Sequence, residues 1–106
     1  MAFKLKNGES RQVDIGNSSG IDVRNLLPEE EGKVHNITTA IDYQLPNGQW
    51  SAITGTVTIA AGKSRGWTRI ELGHDKVRVG VHGPDDGRDI AEVTGGELHT
   101  AEVSNA

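Results

Sequence analysis

The chain has 106 residues, 34% of them hydrophobic and only 4% aromatic, a formal net charge of -4 and no cysteine. That length fits a single domain over residues 1–106 whose core is built from valine, isoleucine and leucine. The missing cysteines exclude disulfides, thiolate metal sites and a thiol nucleophile, and lean towards a reducing, cytoplasmic setting; the acidic balance argues against nucleic acid, which needs clustered Lys and Arg.

From the N-terminus, Phe3 and Leu5 alternate with Lys4 and Lys6, which reads as a short strand and not as the apolar centre of a signal peptide. Asn7-Gly8 is a turn signal. Val13 with Ile15, and Ile21 with Val23, mark two more short strands around the turn Gly16-Asn17-Ser18-Ser19-Gly20. Asn25 to Lys33 breaks the pattern, and Pro28 and Gly32 frame one helical turn in a loop.

The clearest region follows. Ile37, Thr39, Ile41, Tyr43 and Leu45 share one face of a strand. Pro46-Asn47-Gly48-Gln49 is a hairpin turn, and Ile53, Val57 and Ile59 belong to the return strand. A two-residue loop at Asn47-Gly48 would set Ile53 opposite Asp42, on the wrong face. A longer loop or a bulge near Trp50 or Gly55 resolves this, and the bulge is expected. Ile70 and Leu72 then point one way, with Trp67, Arg69 and Glu71 the other. After Gly73-His74-Asp75, Val77, Val79 and Val81 form an inward stripe with Lys76, Arg78, Gly80 and His82 outward. Gly83 to Gly87 is a loop, Asp89 to Thr94 a strand, and the remainder a weak strand or tail.

About seven to nine short strands without a crossover helix or a ~20-residue apolar span predict an all-β protein: an antiparallel β-sandwich, immunoglobulin-like or jelly-roll-like in general form. The predicted core is Phe3, Leu5, Val13, Ile15, Ile21, Val23, Ile37, Ile41, Tyr43, Leu45, Ile53, Val57, Ile59, Ile70, Leu72, Val77, Val79 and Val81.

Catalytic patterns are weak. Gly16-Asn17-Ser18-Ser19-Gly20 matches G-x-S-x-G, but no helix follows to build a nucleophile elbow behind Ser18. Gly62-Lys63-Ser64 lacks the upstream glycine of a phosphate loop, because Val57 stands there. His35, His74, His82 and His99 show no ligand spacing, so no metal or other cofactor is expected. Asp85-Asp86-Gly87-Arg88-Asp89 is an acidic loop that leaves calcium open, without the order of a twelve-residue calcium loop.

The binding residues singled out are Trp67, Arg69, Arg78 and His82, with Trp50. If the strand of Trp67 pairs with the strand of Arg78, a tryptophan lies in a basic patch on an exposed sheet face. The expected function is a non-catalytic binding or assembly module, not an enzyme, making protein contacts through a sheet face or an edge strand. A homo-oligomer is the expected form. The alternative is a lectin-like site where Trp50, Trp67 and Tyr43 stack on a saccharide.

Val79→Asp is expected to prevent folding, because it buries an unpaired charge in the inward stripe. Loss of a cooperative thermal transition is the readout, and a soluble, cooperatively folded variant would refute the stripe.

Overall fold

The computed structural model describes residues 2–95, with the backbone of Glu97–Leu98 and Ser104–Asn105. Expectations on His99 and Val103 lie outside the described residues. The chain runs β1 (Ala2–Lys6), β2 (Glu9–Asp14), β3 (Gly20–Asn25), β4 (Ile37–Gln44), β5 (Trp50–Ala52), β6 (Val57–Ile59), β7 (Ser64–Thr68), α1 (Arg69–Leu72), β8 (Lys76–His82), β9 (Asp89–Thr94), β10 (Glu97–Leu98) and β11 (Ser104–Asn105). All pairings are antiparallel. A smaller sheet has the order β1-β9-β3-β7 and a larger one the order β10-β2-β8-β4-β5, with β6 also on β4 and β11 also on β2. The protein is a β-sandwich, and its strands fall where alternation placed them for β3, β8 and β9.

The inner faces meet in one aliphatic core. Leu5, Val23, Ile90 and Val93 from the smaller sheet pack with Val13, Ile41, Val77, Val79 and Val81 from the larger, all at 0–1% exposure. Burying such side chains contributes about 1.5–3 kcal/mol each, which is why the valine stripe of β8 lies at the centre of its sheet. Trp67, Leu27, Ile90, Ala91 and Val93 join this core although periodicity did not put them there. Ile53 and Val57 are only partly buried against it, and Tyr43 and Leu45 are half-buried.

Three local expectations are corrected. The loop after β3 has no helical turn at Pro28; its one internal backbone bond runs from Lys33 N–H to Glu30 C=O, while Leu26 N–H bonds to Ile90 C=O of β9. The helical turn forms instead at Arg69–Leu72, where a strand was expected. Thr68 caps it: its hydroxyl accepts from Glu71 N–H at 3.0 Å, while the Glu71 carboxylate accepts from Thr68 N–H at 3.0 Å. Gly73 closes the turn at φ 71°, a left-handed conformation that favours glycine. These caps override the strand alternation, so Ile70 points outward and is 87% exposed rather than in the core.

The hairpin after β4 carries both remedies for its register. Leu45 N–H bonds to Gln49 C=O around a Pro46–Gly48 loop with Gly48 at φ 88°, one residue longer than the minimal turn. Further along, the N–H groups of Ile53 and Thr54 share the carbonyl of Ile41, a bulge beside Gly55. Asp42 therefore pairs with Ala52, whereas Thr39 pairs with Val57.

One polar side chain ties the layers together. Asn25 is 0% exposed on the inner side of β3. Its amide donates to the carbonyl of Ile59 in β6 at 2.8 Å and to that of His35 at 2.9 Å, and its Oδ1 accepts from Leu27 N–H at 2.8 Å. Asn25→Ala orphans two carbonyls and one N–H, and is expected to cost about 3 kcal/mol. Urea unfolding measures this, and a loss below ~1 kcal/mol would contradict the bridging role.

Candidate functional site

The five singled-out residues divide between two places. Trp67 and Arg69 were expected beside Arg78 through pairing of their strands. Instead β7 pairs with β3 in the smaller sheet, while β8 lies between β2 and β4 in the larger. The α1 turn carries the chain from one sheet to the other, which breaks the hairpin that the basic patch required. Trp67 points inward and is 7% exposed, with the Arg65 guanidinium 5.3 Å from its ring centroid. Arg69 lies on α1 with Asp75 at 3.5 Å. Of the predicted stacking side chains, Tyr43 is covered too: its ring stacks on His74 at 3.8 Å between centroids.

Trp50, Arg78 and His82 are brought to one surface, the outer face of the larger sheet. Outward positions of β8 alternate with the buried valines, so Arg78, Gly80 and His82 line up along it. Arg78 sits directly across from Asp42 of β4 in register, and its guanidinium meets the Asp42 carboxylate at 2.8 Å. The same guanidinium lies 4.4 Å from the ring centroid of Trp50 on β5. A cation held between an indole and a carboxylate has little freedom left to lose, so the cluster is fixed in place by its own contacts.

Next to it the face dips. Ser10, Gly80 and Ala40 occupy one cross-strand row, flanked by the Gln12-Arg78-Asp42 row and the His82-Thr38 row. Small side chains between long ones leave a hollow of about 180 Å³ that also reaches Thr56. Its rim offers hydroxyls, an imidazole and the Arg78–Asp42 pair. The hollow is below the ~300 Å³ at which pockets begin to enclose cofactor-sized molecules.

The remaining candidate groups are engaged locally. Ser18 lies in a bend, where its hydroxyl donates to the carbonyls of Ile15 and Gly20, each at 3.2 Å. In the acidic loop, Asp86 pairs with Arg88 at 2.8 Å and Asp89 with Lys6 at 3.0 Å. The hydrogen bond and charge of Asp89 hold the Lys6 amine above its ordinary pKa. Among the described residues no group of three or more His, Asp or Glu side chains is gathered to hold a metal ion, and no helix is long and apolar enough to cross a membrane. No protein-family model, curated protein or solved structure shows significant similarity to this chain.

Periodicity made the Arg78 and His82 positions legible, but not the Arg78–Trp50 contact, which spans three strands. A usable signal was missed at Thr68 to Gly73: the Thr-x-x-Glu capping pattern with a following glycine marks a helical turn and forbids the hairpin.

Arg78→Ala is expected to shift Trp50 emission by uncovering the indole, while lowering stability by no more than about 1 kcal/mol, since the pair remains partly solvated. Fluorescence with parallel urea titration checks both. An unchanged spectrum would remove the cation from the indole face.

Proposed function

We propose that the chain is a non-catalytic binding or assembly module that contacts another protein through the outer face of its larger sheet. The observation that carries this reading is the Trp50–Arg78–Asp42 cluster beside the small-residue hollow. Tryptophan and arginine dominate binding energy at protein interfaces when a rim excludes water around them. Here one side chain of a partner fits the hollow while the indole and guanidinium provide the flat contact beside it.

A second reading is saccharide binding at the same face. It is favoured by the half-buried Trp50 indole against Arg78, whose guanidinium also borders the hollow lined by the hydroxyls of Ser10, Thr38 and Thr56. The size of the hollow favours the protein contact.

The test compares partners retained by the immobilised chain with those retained by Trp50→Ser and Arg78→Ala. A partner weakened at least tenfold by both variants, each with an unchanged thermal transition, is expected. Equal retention would overturn the face. A saccharide titration that shifts Trp50 emission, and fails to shift it in Arg78→Ala, would favour the second reading.

A further inference from the structure

The smaller sheet has two edges, β1 and β7, and their properties are complementary. Backbone groups on a strand alternate between its two sides. Asn25 N–H bonds to Lys63 C=O, and Arg69 N–H to Ser19 C=O, so odd-numbered residues of β7 face β3. Ser64, Gly66 and Thr68 therefore turn their N–H and C=O groups to the open edge. Thr68 N–H is taken by Glu71, and those of Ser64 and Gly66 have no partner among the described residues. Carried across the registers of β3 with β9 and β9 with β1, the same alternation turns Ala2 and Lys4 of β1 to the opposite open edge.

The side chains differ in sign. On the outer face beside β7 runs a trough of about 430 Å³, bordered by Asp22, Glu71, Thr68 and Thr94. Its depth comes from glycine: a Cβ at Gly20 would collide with the carbonyl of Trp67, and one at Gly66 would lie 3.2 Å from the Asp22 carboxylate. That carboxylate leans over Gly66 towards the edge. Neither Asp22 nor Glu71 has an ion-pair partner among the described residues. On the outer face of β1, by contrast, Lys4 and Lys6 are exposed.

We propose that the chain assembles head to tail, with β1 of one copy adding antiparallel to β7 of the next and Lys4 of the first entering the trough at Asp22 of the second. Both strands have five residues. Setting Lys4 opposite Gly66 overlaps them fully, and it pairs residues that both turn their backbone bonds to the interface. Strand directions alternate across the smaller sheet, so a translated copy presents β1 antiparallel to β7 with inner and outer faces preserved. On the inner side Phe3 then adjoins Trp67, and Leu5 adjoins Arg65. On the outer side a lysine side chain spans the two strand spacings, ~9.6 Å, that separate it from the Asp22 strand.

Like pairings are disfavoured. Two β1 edges oppose lysines, and two β7 edges joined through Ser64 and Gly66 set Arg65 against Arg65. The contact is heterologous, so it propagates as a ring or a filament and not as a closed pair.

The inference rests on the assembly part of the reading above but uses a different surface, so the two fail separately. Native mass is measured by light scattering across concentration for the full chain, Lys4→Glu, Asp22→Lys, Ser64→Pro and Trp50→Ser. Ser64→Pro removes only an edge-facing N–H. The full chain is expected to exceed the mass of a dimer. Lys4→Glu, Asp22→Lys and Ser64→Pro are expected to be folded monomers at concentrations at least tenfold higher. Mixing Lys4→Glu with Asp22→Lys restores assembly, which no misfolded variant would do. A monomer at millimolar concentration, a closed dimer, or an oligomer indifferent to Lys4→Glu and Asp22→Lys overturns the proposal. In the last case, sensitivity to Trp50→Ser assigns the contact to the outer face of the larger sheet.

Discussion

The arrangement of the two layers depends on the buried amide of Asn25. An aliphatic core is non-directional: valine and isoleucine stripes pack almost equally well at several offsets. Asn25 removes that freedom. From the inner face of β3 it reaches the carbonyl of Ile59 in the opposite sheet, and it pins the following loop at His35 and Leu27. A buried amide with all these bonds made is stable in one offset only, because any other leaves polar atoms dry and unpaired. The start of β4 follows from it, and with β4 the placement of Asp42 under Arg78.

The larger sheet converts strand order into a surface. With β8 flanked by β2 and β4, its outward residues acquire neighbours on both sides. Gly80 between Ser10 and Ala40 lowers the face, and Arg78 between Gln12 and Asp42 raises it. The same sequence on an edge strand would offer neither relief nor the Trp50 contact.

How much of this the sequence discloses depends on the range of the forces. Alternation is local, so the faces of β4 and β8 are readable residue by residue, whereas β9, which buries Ile90 and Ala91 in succession, yields only its extent. Pairing is not local. The chain changes sheets at most connections, so neighbours along the sequence are seldom neighbours in a sheet. The hairpin of β4 and β5 is readable because it stays within one layer. Trp67 shows the opposite case: alternation with Ile70 and Leu72 puts it outward, but the helical turn at Arg69–Leu72 breaks that phase, and Trp67 faces inward while Ile70 is exposed. The candidate site was legible in parts for the same reason. Arg78 and His82 follow from period, whereas the approach of Trp50 to Arg78 follows only from strand order.

The bulge at Ile53 and Thr54 has a geometric consequence for the molecule as a whole. Two amides converging on the carbonyl of Ile41 leave the border of the larger sheet beyond β4 in two short pieces, Trp50–Ala52 and Val57–Ile59. No straight run of backbone remains there to template another strand. On the opposite border, β10 and β11 already occupy β2. Among the described residues the edge strands longer than three residues are therefore β1 and β7, and both belong to the smaller sheet, so the longest uninterrupted rows of edge backbone lie in one layer of the sandwich.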